Sequence, residues 1–309
     1  MSLTARLTER FAAENLKGVE RARKAVSFAL SRRDRHLPLL AETRNLEVEG
    51  AAGPLPARLY VPRGAESPGP LLLFFHGGGF ILGDIETHDA FCVRLADAAA
   101  VRVLSCRYRL APEAAFPAQL NDAIAATRWT LANLERLGGD RLAMGGDSAG
   151  GYLTVAATRE IHRENSSAVC AHVLVYPLLS MDDAVWASTL FQDARIVGRL
   201  AVQFIRAQLG TSEGHSLLTP LLPEAFAAAP PTVIVAGDQL DPCRPEAAVY
   251  AERLREVGVP VEERYFALQP HGFINLTHVS QASRDAVGEI GTLTGALLKG
   301  STPSMSASR

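Results

Sequence analysis

Leu71-Leu72-Leu73-Phe74-Phe75 runs without a polar break into His76-Gly77-Gly78-Gly79. A short apolar run that stops at a glycine triplet reads as a strand buried on both faces and released into a loop. Further short β-branched or apolar runs that read as strands lie at Val101 to Tyr108, Arg141 to Gly145, Ala171 to Tyr176, Thr232 to Ala236 and Val261 to Phe266. Helix-length stretches separate these runs, near 87–99, 117–137, 148–164, 244–257 and 279–299. Such alternation predicts an α/β fold, with a mostly parallel central sheet flanked by helices. The opening strands near 44–50 and 57–62 alternate polar and apolar residues instead, which suits an antiparallel edge with one wet face.

Two stretches break the alternation. Residues 1–40 form an Arg-, Ala- and Leu-rich helical leader. Residues 181–222 follow Tyr176-Pro177 and hold a helical insert around 196–209. Both read as parts of a helical cap over the C-terminal edge of the sheet, where open α/β sheets place their sites. The chain thus divides into a cap segment 1–40, a first core part 41–180, a cap insert 181–222, a second core part 223–300 and a small polar tail 301–309, read as disordered.

A net charge of −2 gives no reason to expect nucleic acid or an anionic membrane as partner. Cys92, Cys106, Cys170 and Cys243 show neither CxxC spacing nor histidine-rich surroundings, so no disulfide framework and no metal site is expected. No apolar core follows Met1, and no apolar run is long enough to span a bilayer, which makes a cytoplasmic protein the default.

Gly146-Asp147-Ser148-Ala149-Gly150 lies between a strand, Arg141 to Met144, and a helix that opens near Tyr152. A strand-to-helix turn this tight needs flanking residues with almost no side chain, and Gly146, Gly150 and Gly151 meet the demand. The turn would project Ser148 at a helix N-terminus and aim the Ala149 N–H at a developing oxyanion. Gly-x-Ser-x-Gly is a short pattern in a chain with 25 glycines, so its neighbours must decide whether the serine reacts. About seventy residues upstream, the triplet after His76 lets successive N–H groups converge, so Gly77 and Gly78 are expected to share the oxyanion with Ala149. No phosphate-loop pattern follows the triplet. His76 is expected to brace the loop, with Gly79 and Asp147 in support.

A serine hydroxyl needs a base within hydrogen-bond reach, and the base needs a carboxylate to orient it. In a sheet of this kind the order is serine, acid, histidine. His271-Gly272-Phe273 follows the run Val261 to Phe266 and supplies the base. His278 reads as a helix cap or surface residue. Asp238 and Asp241 both lie in the loop after Thr232 to Ala236. Asp241 is favoured because Pro242 would start a helix and present it at an N-cap, leaving Asp238 to brace the turn.

Together these motifs resemble the bacterial hormone-sensitive-lipase-like esterases of the α/β-hydrolase superfamily, over about residues 56–299. His76 to Phe80 is similar to the family's HGGG signature. Tyr108-Arg-Leu-Ala-Pro-Glu113, Phe116-Pro117-Ala118 and Asp122 resemble its YRLAPE stretch, Gly146 to Gly150 its GDSAG elbow, and His271-Gly272-Phe273 its HGF. Asp241-Pro242-x-Arg244 is similar to its acid loop and supports Asp241 over Asp238; Cys243 and Pro245 depart from the usual residues there. The resemblance implies hydrolysis of short- to medium-chain acyl esters through an acyl-enzyme, with no cofactor. It also implies a cap from the N-terminal helices and, in several relatives, a homodimer. The Tyr108–Glu113 block is expected to pin the oxyanion loop through its charged residues. Amidase, lactonase and lipase activity would use the same triad. A silent binding protein on this scaffold would lack the histidine that is present at 271.

Overall fold

A computed structural model describes residues 18–28, 34, 36–179 and 223–300. The expected insert at 181–222, most of the leader and the tail lie outside the described residues. Helix α1 covers 18–28. The remaining elements in chain order are β1 (Glu42–Gly50), β2 (Gly53–Val61), β3 (Gly69–Phe75), α2 (Ile85–Ala99), β4 (Arg102–Cys106), α3 (Ala118–Ala132), β5 (Gly139–Asp147), α4 (Ala149–Glu164), β6 (Val169–Val175), α5 (Pro223–Ala227), β7 (Thr232–Gly237), α6 (Arg244–Glu256), β8 (Val261–Phe266) and α7 (Gln281–Lys299). Short 3₁₀ turns follow α3 at Glu135–Leu137 and β8 at Phe273–Leu276.

The strands form one sheet among the described residues, in the order β1-β2-β4-β3-β5-β6-β7-β8. β1, β2 and β4 pair antiparallel, and every pairing from β4 to β8 is parallel. Burial follows from position. Every residue of β3, β4 and β7 is buried, whereas β1 is exposed over most of its length and β8 is half-buried throughout. Continuous apolar runs therefore mark the centre and alternating ones the edge, as the two periodicities predict. Helix α2 packs on α7, and α3 on α4.

Two sequence expectations shift. The run Val101 to Tyr108 leaves the sheet at Cys106, because Tyr108 turns to donate its hydroxyl to the His76 carbonyl. The final helix is capped by Ser280, whose side chain accepts from the Ser283 N–H, and not by His278.

Register positions the site. Phe75 lies beside Gly146, so His76 and Gly77 leave β3 next to Asp147 and Ser148 leaving β5. Gly237 lies beside Phe266, so the loops carrying Asp241 and His271 leave β7 and β8 at one level. A bridge between Leu240 and Pro270 then holds these two loops together.

Candidate active site

Ser148 caps α4 with φ 50° and ψ −116°, a left-handed backbone that a serine adopts only when its surroundings enforce it. The enforcement is visible on both sides. Ser148 donates its N–H to the Val175 carbonyl at 2.9 Å, and its own carbonyl accepts from the Leu178 N–H at 2.9 Å. A methyl group at Gly150 would run into the Phe75 carbonyl, so only glycine lets α4 start this close to β3. The Ser148 side chain caps nothing, which leaves its Oγ for other work.

His271 Nε2 lies 2.9 Å from that Oγ, and His271 Nδ1 lies 2.9 Å from Asp241 Oδ1. Asp241 is fully buried; its Oδ2 accepts the Gly237 N–H at 3.1 Å and its Oδ1 the Cys243 N–H at 3.0 Å. Three donors on one carboxylate fix its plane and so the imidazole's. Desolvation pulls the His271 pKa down, but the hydrogen bond and charge of Asp241 outweigh it, and the net shift is upward. The Tyr176 ring, itself buried, lies 4.6 Å from the His271 ring on the inner side.

The aspartates in this loop have separate tasks. Asp238 Oδ1 accepts from Arg244 Nε at 3.0 Å, away from the imidazole. Asp241 is not the expected N-cap: Cys243 holds that position and Pro245 enters the first turn of α6. Asp241 gains its orientation from a tight turn closed by the Cys243 N–H.

The glycine loop corrects one expectation. The Gly77 N–H donates to Asp147 Oδ1 at 2.7 Å, and a Cβ at Gly77 would collide with the same carboxylate. Gly77 is therefore committed to Asp147 and is not an oxyanion donor. Gly78 and Gly79 follow at φ 116° and 63°. Among the described residues no acceptor meets the N–H of Gly78, Gly79 or Ala149. A charged partner at 2.7 Å claims an N–H outright, and the sequence gives no sign of which of three equal glycines it takes.

His76 braces the loop from within. Its Nδ1 meets the Gly77 carbonyl at 2.8 Å, which puts the ring proton on Nδ1, and its ring stacks on Tyr108 at 4.4 Å. Burial and the neighbouring His88 push its pKa down to about 4. His88 was not apparent as a site residue. Its Nε2 lies 3.2 Å from Asp147 Oδ1, with both side chains buried. Burial opposes charge on either partner, yet each favours the charged form of the other: the Asp147 pKa is lowered and the His88 pKa raised. One signal was present in the sequence. His88 falls on the apolar stripe of α2 with Ile85, Phe91, Cys92 and Leu95, and a titratable residue there implies a buried partner.

The Tyr108–Glu113 block divides likewise. Tyr108 supports the loop at His76, but Arg109 pairs with Asp122 on α3 at 2.8 Å. Asp122 also accepts the Ala51 N–H at 3.1 Å, so this pair ties α3 to the β1–β2 turn and not to the oxyanion loop. All four cysteines are free thiols. Donor atoms of Asp241, Cys243 and His271 lie within 4.8 Å of one another. The histidine and aspartate atoms bond each other, and burial pushes the Cys243 thiol pKa well up. Among the described residues no helix is long and apolar enough to cross a membrane.

A family described as having the alpha/beta hydrolase fold matches residues 72–275. The chain is 36% identical over 251 residues to esterase LipI of Mycobacterium tuberculosis, covering 78% of each protein. It is 33% identical over 268 residues to an arylesterase of Saccharolobus solfataricus, covering 84% of each. Among solved structures it resembles an ester-hydrolase from the metagenome of Lake Arreo, bound to a derivative of bipyridine phosphonate. That match has TM-score 0.81 and 31% identity over 96% of this chain and 98% of the other. An esterase of Pyrobaculum calidifontis matches with TM-score 0.79 and 30% identity, covering 90% and 93%.

Proposed function

As the chain belongs to the alpha/beta hydrolase fold family, we propose that it is a carboxylic ester hydrolase whose nucleophile, base and orienting acid are Ser148, His271 and Asp241. The observation that carries this is the unbroken line from Asp241 Oδ1 to His271 Nδ1 and from His271 Nε2 to Ser148 Oγ, each step 2.9 Å. His271 takes the Ser148 proton as Oγ bonds to the ester carbonyl carbon. Asp241 stabilises the imidazolium and holds its tautomer. The negative oxygen of the tetrahedral adduct accepts from the N–H groups of Gly78, Gly79 and Ala149. The adduct collapses, His271 gives its proton to the leaving alkoxide, and water repeats the cycle on the acyl-enzyme.

The esterase and carboxylesterase relatives support ester hydrolysis in particular. Short- to medium-chain acyl groups, a cap built from 1–40 and 181–222, a homodimer and a cytoplasmic location belong to the same proposal. A rate profile over p-nitrophenyl esters from two to sixteen carbons, with a parallel anilide, tests the substrate class. A fall beyond eight carbons supports it, and a rise on emulsified long chains marks a lipase. Ser148→Ala should fold as the parent does and lose p-nitrophenyl acetate hydrolysis. Retained hydrolysis would remove Ser148 from the mechanism.

A further inference from the structure

Helix α1 sends one side chain into the glycine loop's neighbourhood. Arg23 Nε donates to the Ile81 carbonyl at 2.7 Å and Nη2 to the Ala111 carbonyl at 2.6 Å. Nη1 and Nη2 grip both Glu113 oxygens at 2.6 and 2.8 Å. Four of the five guanidinium N–H groups are thus engaged, and the Glu113 pKa is lowered by the pairing. The two carbonyls it joins belong to different segments. Ile81 closes the oxyanion loop, while Ala111 lies in the crossing segment that donates its N–H to the Phe80 carbonyl at 2.9 Å. Phe80 itself sits at φ 64°, a left-handed conformation that needs outside support.

Planarity of the peptide unit carries the effect to the reacting atoms. In a trans peptide the carbonyl and the next N–H point opposite ways. The Gly78 carbonyl accepts from the Ile81 and Leu82 N–H groups at 3.1 and 2.8 Å, which turns the Gly79 N–H out of the loop. The Gly77 carbonyl is taken by His76, which fixes the Gly78 N–H on the opposite side of its own peptide unit. Position 81 therefore both anchors Gly78 and is itself anchored by Arg23. Without the guanidinium, two partly buried carbonyls converge with no donor between them, and the segment must move to reach water.

We propose that Arg23 is a positioning residue for the oxyanion hole: by bridging Ile81 and Ala111 it holds the Gly78–Gly79 peptide in the orientation that meets the tetrahedral adduct. This rests on the ester-hydrolase reading above. The side chain is a quarter exposed, 23%, and its ion pair with a 41%-exposed Glu113 adds little to stability. Its weight falls on the carbonyls, and the effect belongs to the transition state, because an ester's carbonyl oxygen becomes an anion only there.

The test uses the full chain with Arg23→Ala, Arg23→Lys and Glu113→Gln, read by p-nitrophenyl butyrate kinetics and by inhibition with phenylboronic acid, which forms a tetrahedral adduct on a reactive serine. Losing one oxyanion donor lowers turnover by about 10²–10³, and a donor misaimed but present should lower it by roughly tenfold. Arg23→Ala should therefore lose about tenfold in kcat with KM nearly unchanged, and boronic acid affinity should weaken in parallel. Arg23→Lys, with one ammonium for two carbonyls, should fall between the two, and it carries the comparison if the alanine variant does not fold. Glu113→Gln keeps both carbonyl bonds and should stay close to the parent. Unchanged kcat and boronic acid affinity in the lysine and alanine variants would overturn the proposal, and so would a rise in KM alone. Failure of the underlying reading looks different: the parent itself would not hydrolyse the ester, or Ser148→Ala would.

Discussion

Two loops at the C-terminal edge of the sheet each present a histidine followed by glycine, and the protein treats them in opposite ways. His76 is fully buried, stacked on Tyr108, and bonded to its own loop's carbonyl; its pKa is pushed down to about 4. His271 is about one-third exposed at its side chain, 32%, and lies between a buried carboxylate and the Ser148 hydroxyl; its pKa is raised. Desolvation acts downward on both. The difference is Asp241, whose charge reverses the outcome at one ring. The carboxylate near His76, Asp147, is already engaged by His88 and the Gly77 N–H. A motif histidine becomes a base only when it has a carboxylate to itself and a face toward substrate.

The largest effect should come from removing that carboxylate. Asp241→Asn leaves the shape intact but favours the wrong imidazole tautomer, and kcat should fall by about 10⁴. The comparable change in the other loop, His76→Gln, can act only by disturbing Gly78 and Gly79, so it should cost no more than about 10²–10³. Steady-state rates on one p-nitrophenyl ester decide the matter. Equal losses in the two variants would end the distinction between base and brace.

Much of this site was legible because it depends on backbone demands that only certain residues meet. Gly150 must be glycine because α4 starts against the Phe75 carbonyl, and Gly146 must be glycine because the turn at Ser148 folds Gly150 back onto it. The sheet's centre was legible from β3 and β7, fully buried strands whose only polar side chain, Thr232, spends its hydroxyl on the Pro230 carbonyl. What the chain concealed were choices among equivalent groups. Three glycines follow His76, and only the approach of Asp147 commits the first to a carboxylate. Asp238 and Asp241 are three residues apart, and the Gly237 and Cys243 N–H groups with the Leu240–Pro270 bridge aim the second at His271. Arg23 was hidden for another reason: its partners lie 58 to 90 residues away in sequence, and no local pattern marks an arginine for a long-range fork.

The pH dependence of kcat/KM should separate the rings without changing the loops. The base works only when neutral, and its folded pKa is raised, so activity should fall with acid through a midpoint above the ordinary 6.5. In Asp241→Asn the raising influence is gone while burial remains, and the midpoint should move to lower pH. His76→Gln should leave the midpoint in place, because His76 is already neutral throughout this range. A midpoint that moves in His76→Gln would show that the two rings titrate together.

The smallest effect is on stability, where the two kinds of histidine should differ in sign. His76 and the buried His172, bonded to Thr158 Oγ1 at 2.8 Å, are held neutral with pKa values of about 4 and about 3. Unfolded, each would titrate near 6.5, so below that pH the unfolded chain binds protons that the folded chain refuses. Their contribution is full above 6.5 and is lost as pH falls toward 4. Each histidine costs up to about 1.4 kcal/mol per pH unit within that window. His271 and His88 have raised values, so their contribution is full below 6.5 and is lost as pH rises through the folded pKa. Acid sensitivity between pH 6.5 and 4 is therefore assigned to the buried rings held neutral, His76 and His172. Melting temperatures of the parent and of His172→Gln at pH 7 and pH 5 provide the check. The substitution lies on β6 beside Met144 of β5, and should shrink the drop between the two pH values by a few degrees. A drop of unchanged size would mean that His172 takes up its proton without unfolding the chain.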